Sequence, residues 1–208
     1  MKLLVLNPNT TAAMTDKAVA EVRRLAPAHW AVRGVTATTG CEVIASRASF
    51  VTGAWAALET LRAQDDWADA VLLACFGDPG LAALREVSAV PIIGMAEAAL
   101  REAVALGRPY HFVTAGTAWD AMLRETVRLE DAVALLDGVT VLDSTGLAMA
   151  RDPQRALQLL QDVLDGLQPR GAPTCILAGT GFAGMALALR YDGVLIDGLA
   201  AAVRTAAR

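Results

Sequence analysis

Residues 171–189 read Gly171-Ala172-Pro173-Thr174-Cys175-Ile176-Leu177-Ala178-Gly179-Thr180-Gly181-Phe182-Ala183-Gly184-Met185-Ala186-Leu187-Ala188-Leu189, without a single charge. A membrane-spanning helix needs roughly 18–20 consecutive apolar residues, so the length fits. The contents do not. Pro173 and the glycines at 179, 181 and 184 break up any long helix, because proline and glycine are the two poorest helix formers. The stretch reads as a buried strand over 174–178, a glycine-rich turn, and a short helix between Phe182 and Arg190. The opening run Met1 to Leu6 is too short for a signal sequence and meets Asn7-Pro8-Asn9 at once. The expected location is therefore cytoplasmic, with no membrane partner.

Working outward, the same strand-then-turn pattern recurs. Short aliphatic runs at 2–6, 31–36, 70–74, 91–93, 111–114, 139–142, 174–178 and 193–196 predict eight strands. Helical stretches lie between them. Residues 15–25 place Ala18, Val19, Val22 and Leu25 on one stripe, and residues 50–63 do the same with Val51, Ala54, Leu58 and Leu61. Asp152-Pro153 predicts an N-cap followed by proline at the first helical position. Strict alternation of this kind means α/β architecture, with parallel sheets covered on both faces. The two halves echo one another. Strands one and five end in Asn7-Pro8-Asn9-Thr10 and Thr114-Ala115-Gly116-Thr117. Strands three and seven end in Cys75-Phe76-Gly77-Asp78-Pro79-Gly80 and Gly179-Thr180-Gly181-Phe182-Ala183-Gly184. Ligands of open α/β sheets bind outside the C-terminal ends of the strands. Two such halves face to face would enclose one small site.

Composition narrows the partners. The 208 residues are 55% hydrophobic, which excludes disorder. With 18 basic against 22 acidic residues, no basic run and 5% aromatics, nothing suits nucleic acid. The three cysteines fit no metal-binding spacing.

Cys75 carries the strongest chemical signal. It follows Val71-Leu72-Leu73-Ala74 at a strand tip, just before a helix expected to begin near Pro79. A thiol at a helix N-terminus has a lowered pKa. Cys175 lies inside a strand and reads as core, while Cys41 sits in a loop with an open role. Asn7, Asn9 and Thr10 are ligand contacts or helix caps. His29 and His111 show no partner, and His111, opening a strand, reads as structural. The run 179–184 also matches G-x-G-x-x-G, with Asp197 where a ribose-binding acid would lie. Almost no chain follows to build a dinucleotide half, which leaves an NAD-binding reading as the lesser alternative. Its glycine-rich amides would still suit a carboxylate or an enolate oxygen.

In order and spacing, these motifs resemble the aspartate/glutamate/hydantoin racemase superfamily, and most of all its hydantoin and allantoin racemase branch. The matching pieces are Leu6-Asn7-Pro8-Asn9-Thr10, Ala74-Cys75-Phe76-Gly77-Asp78-Pro79-Gly80-Leu81, Pro91-Ile92-Ile93-Gly94-Met95-Ala96-Glu97-Ala98, Phe112-Val113-Thr114-Ala115-Gly116, Ser144-Thr145-Gly146-Leu147 and Ile196-Asp197-Gly198-Leu199-Ala200-Ala201-Ala202-Val203. The resemblance implies two pseudosymmetric, flavodoxin-like parallel-sheet lobes with the active site between them. Lobe one would hold residues 1–95 plus 190–208 and lobe two residues 96–189. It implies a homo-oligomer, a small-molecule substrate and no cofactor. One cysteine from each lobe would face opposite sides of a stereocentre. Cys75 would be the catalytic thiol of the first lobe. Asn9, Thr10, Phe76, Gly77, Thr114, Ala115, Gly179, Thr180 and Gly181 would bind substrate.

One departure matters. The family's second-lobe motif carries cysteine after Leu-Gly, whereas this chain reads Leu177-Ala178-Gly179-Thr180. Glycine stands where the second thiol belongs. Three readings remain: racemisation or isomerisation by Cys75 with a water, Thr180 or another group opposite, one-sided chemistry such as decarboxylation followed by protonation from Cys75 (as in arylmalonate decarboxylases, which keep the other cysteine), or a binder without catalysis.

Overall fold

Unbroken aliphatic runs make the inner strands. Leu3, Leu4, Val5 and Leu6 are all buried, as is every residue of Ala70–Leu73, Tyr110–Ala115 and Thr174–Leu177. A strand buried on both faces belongs in the middle of a parallel sheet. The computed structural model, which describes residues 1–208, places them there. Strands β1 (Lys2–Asn7), β2 (Ala31–Thr36), β3 (Ala70–Leu73) and β4 (Ile92–Gly94) form a parallel sheet in the order β2-β1-β3-β4. Strands β5 (Tyr110–Ala115), β6 (Leu136–Leu142), β7 (Thr174–Leu177) and β8 (Leu195–Asp197) repeat that order as β6-β5-β7-β8. All eight expected strands form, with ends shifted by up to three residues.

The helices are α1 (Ala12–Leu25), α2 (Arg47–Arg62), α3 (Leu81–Val87), α4 (Met95–Ala105), α5 (Trp119–Leu129), α6 (Gly146–Arg151), α7 (Pro153–Leu167) and α8 (Gly198–Ala206). Local chemistry starts several of them. The Ser46 and Ser49 side chains form a reciprocal capping box on α2. Asp152 accepts from the Arg155 amide and Pro153 opens α7, as the sequence predicts. No helix is long and apolar enough to cross a membrane.

The uncharged stretch resolves into β7, a turn, and two short 3-10 turns at Thr180–Phe182 and Met185–Ala188. The α-helix expected there does not form, because glycines at 181 and 184 deny it a stable turn. The expected lobe boundary also needs correcting. Within residues 190–208, β8 pairs with β7 and completes the second sheet. Only α8 leans towards the first half, lying on α1, α4 and β4. His111 has partners after all. Its Nδ1 lies 2.7 Å from an Asp137 carboxylate oxygen and its Nε2 2.8 Å from Thr140 Oγ1, both from β6. Cross-strand partners depend on register, which a single strand does not display.

The halves meet where α4 and α8 pack on each other. The buried residues of the two helices are mostly small: Ala96, Ala98, Ala99 and Ala103 on α4, and Gly198, Ala201 and Ala202 on α8. Small side chains let helix axes approach closely. A β-carbon on Gly198 would sit 2.8 Å from Met95 Cε and 3.1 Å from Phe76 Cδ2. Overpacking should be felt here. Ala99→Leu is expected to lose about 1–3 kcal/mol of stability in urea denaturation. Ala105→Leu, at the exposed end of α4, should stay within about 0.5 kcal/mol of the parent.

Candidate active site

The β3 and β7 tips are built alike. The Ala74 amide donates to Leu6 O of β1 at 2.8 Å, and the Ala178 amide donates to Val113 O of β5 at 2.8 Å. Cys75 and Gly179 are the next residues in each case, so the fold itself makes them counterparts. Both line one cavity of about 80 Å³ between the sheets. The same cavity collects Asn9, Phe76, Thr114, Ala115, Thr180 and Gly181.

Two expected contacts fall elsewhere. Thr10 gives its amide to Cys41 O at 3.0 Å and does not line the cavity. Gly77 faces a second hollow beside Phe50, Asp78 and Met122. A β-carbon there would lie 2.8 Å from the Trp119 ring, so Gly77 makes room for the wall between the hollows.

Asn7 is scaffold. Its Nδ2 donates to Asn9 Oδ1, Thr11 O and Thr15 Oγ1, and its Oδ1 accepts from the Asn9 amide. Asn9 Oδ1 also accepts from the Thr11 amide, which leaves Asn9 Nδ2 with only the Met14 thioether at 3.6 Å. That amide group is available to a ligand. Thr114 Oγ1 donates to Ala178 O at 3.0 Å and so ties β5 to the Gly179 turn. The backbone amides of Cys75, Phe76 and Gly77 find no acceptor in the protein.

Cys75 is buried, with only 8% of its surface exposed. Its Sγ lies 3.8 Å from Phe76 O, a weak contact. The expected helix N-terminus is not beside it. The chain first passes through left-handed Gly77, Asp78 and Gly80, and α3 begins only at Leu81. The expected lowering of the thiol pKa is therefore reversed. Burial pushes it up, and the neighbouring Asp78 and Cys41 push the same way. Asp78 is itself buried, which raises its carboxyl to about 7. Its oxygens accept from the Ala96 and Glu97 amides at the start of α4, at 3.0 and 2.8 Å. Cys175 lies fully within the core, and burial raises it to about 12.

Gly179 is extended, at φ 163° and ψ 139°, a conformation open to any residue. An added β-carbon would meet nothing nearer than the Phe182 ring at 3.4 Å. The turn after it has little spare room: a β-carbon at Gly181 would lie 2.7 Å from Gly146 O. Asp197 accepts from the Gly184, Leu199 and Ala200 amides. A carboxylate so occupied is not free for a ribose, which removes the support for a dinucleotide site.

The cavity also takes in Met14, Val43, Ile44, Ala45, Trp119, Thr145, Gly146 and Phe182. Thr145-Gly146 was visible as a motif, and Trp119 follows the β5 tip closely. Met14 and 43–45 carried no local signal, since only packing brings them here. No Asp, Glu, Lys, Arg or His side chain lines the cavity.

The nucleophile is the thiolate, so a thiol with a raised pKa should react slowly. Iodoacetamide is expected to alkylate Cys75 more slowly than a free thiol at pH 7. Its rate should keep climbing with pH beyond about 9.5–10, where an ordinary thiol of pKa about 8.5 has levelled off. Peptide mapping of the modified cysteine across pH checks this.

A family model described as Asp/Glu/Hydantoin racemase matches residues 3–206. A hydantoin racemase of Rhizobium meliloti is 32% identical over 212 residues, covering 99% of this chain and 87% of that protein. An allantoin racemase structure from Pseudomonas fluorescens superposes with a TM-score of 0.92 at 27% identity, covering 100% of this chain and 89% of that one. One from Klebsiella pneumoniae gives 0.91 at 28% identity, covering 99% and 85%.

Proposed function

The chain belongs to the Asp/Glu/Hydantoin racemase family, and on that premise we propose that it moves the α-proton of a small, uncharged, carbonyl-activated ring compound of the hydantoin type, with Cys75 as proton carrier. The observation that carries this reading is Cys75 at the β3 tip, in a cavity without charged side chains. An α-amino acid would bring an ammonium group with no carboxylate to meet it, and burying an unpaired charge is costly. A neutral cyclic amide needs only hydrogen bonds. Asn9 Nδ2 and the free amides of Cys75 and Phe76, which line the cavity, are donors for its carbonyl oxygens and for the enolate.

Burial keeps Cys75 a neutral thiol, the form that delivers a proton to an enolate. To remove a proton it must first lose its own, and the free amides beside it would offset that charge. The opposite face is different. Gly179 has no acid or base, and the Thr180 hydroxyl is spent on Ala74 O at 3.0 Å. Proton exchange should therefore run from one side, with inversion left to water. A positioned acid or base contributes about 10²–10⁴-fold. In D₂O, one enantiomer of 5-benzylhydantoin is expected to exchange its α-proton with retention, faster than it racemises by about that factor. Nuclear magnetic resonance and chiral chromatography on one sample measure both rates. Equal rates for the parent enzyme would defeat one-sided transfer.

Two variants complete the test. Cys75→Ser should abolish exchange while the fold persists, and full turnover in it would remove Cys75 from the reaction. Gly179→Cys fits the extended backbone, and should raise racemisation towards the exchange rate. A bare wall of Ala178, Gly179 and Phe182 opposite a neutral thiol also suits the second reading, decarboxylation. There the C–CO₂ bond would break on the Gly179 side, leaving its electron pair as an enolate that Cys75 protonates. Carbon dioxide release from a substituted malonate, lost in Cys75→Ser, would favour it. A non-catalytic binder would show neither reaction.

A further inference from the structure

The wall opposite Cys75 is the turn 179–184. With glycine at 179, 181 and 184 and only a three-residue 3-10 turn of its own, it has little intrinsic stiffness. Its position is imposed from outside, largely by the first half of the chain. Thr180 Oγ1 donates to Ala74 O at 3.0 Å, one residue before Cys75. Lys17 reaches over from α1, and its ammonium donates to Gly181 O at 2.5 Å. Asp197 holds the far end by accepting from the Gly184 amide at 2.8 Å.

Lys17 stands out because it is a half-buried cation that does not line the cavity, yet it grips the carbonyl of a residue that does. The charges facing it are Glu21 on α1 and Asp197 on β8. Glu21 is held in turn by Arg24 at 2.6 and 2.9 Å. Its carboxylate lies against Gly184, where a β-carbon would come within 2.9 Å of Glu21 Oε2. Three chain segments thus meet around one ammonium group: α1, the turn 179–184 through Gly181 O, and the end of β8.

We infer that Lys17 is a positioning residue that fixes the turn 179–184 across the cleft, and so sets the gap between the Cys75 thiol and the wall that faces it. This rests on the reading of the cavity as a proton-transfer site, but its structural part stands apart from it. A misplacement of about 1 Å costs on the order of 100-fold in a reaction that needs aligned atoms. A substrate bound mainly by Asn9 and the β3-tip amides would lose less in binding than in turnover.

The test compares Lys17→Met, which keeps the aliphatic stem and loses the charge, with Lys17→Arg, which restores a cationic donor. Two measurements are made on each. Amide hydrogen exchange by mass spectrometry reads local opening. In Lys17→Met, the peptide covering 179–184 should exchange about tenfold faster or more, while β7 keeps parental protection and Lys17→Arg recovers part of the loss. Deuterium exchange of 5-benzylhydantoin should show kcat falling by about 10- to 100-fold, KM changing less than threefold, and partial rescue by arginine. Parental protection of the turn in Lys17→Met would overturn the inference, whatever the activity. Uniform loss of protection across the chain would mark Lys17 as a general stabiliser and overturn it equally. If the parent enzyme acts on no hydantoin, the reading of the reaction fails, and the hydrogen-exchange arm still decides the role of Lys17.

Discussion

The rest of the structure depends on the packing of α4 against α8. Each helix follows the last strand of its sheet, and most of the buried residues of each are alanine or glycine. Alanine and glycine allow a close approach that larger side chains would prevent. The approach turns two open sheets towards one another, so that the C-terminal tips of β3 and β7 share a cavity. Met95 at the start of α4, Gly198 at the start of α8 and Phe76 beside the thiol touch at that junction. The seam and the site are therefore one piece of packing.

Symmetry organises the cleft, and it is broken at the two strand tips that face each other. Both halves use the same strand order and tie the third strand to the first at the same place. Both stitch the turn after that strand to the helix that follows the fourth strand with a buried aspartate. In the first half, Asp78 lies in the turn and accepts from the start of α4. In the second, Asp197 lies before α8 and accepts from both the helix and the turn. On this shared frame, one tip carries a thiol and the other a glycine. Nothing in the backbone at Gly179 demands glycine, since its conformation is extended and space lies above it. The asymmetry is chemical and not conformational.

Electrostatics corrected the simplest expectation about Cys75. Position at a strand tip suggested a thiol made acidic by a nearby helix. The intervening left-handed residues move that helix away, and burial beside Asp78 dominates. A neutral thiol is the better proton donor and the poorer base. The cavity's lack of charged side chains supports the proposal of a neutral substrate held by hydrogen bonds.

The sequence by itself determined the eight strands, the parallel α/β class, the internal echo that sets Cys75 against Gly179, and most residues at the strand tips. These are local properties. An unbroken aliphatic run declares a buried strand, and the residues directly after it must lie at its tip. Only the tertiary structure decided what crosses between segments. The placing of Met14 and Val43 to Ala45 in the cavity, the exclusion of Thr10 and Gly77, the partners of His111, the membership of β8 and the reach of Lys17 to Gly181 all depend on distances between parts of the chain far apart in sequence. Burial, which sets the thiol's protonation, is likewise a property of the packed molecule and not of any short stretch within it.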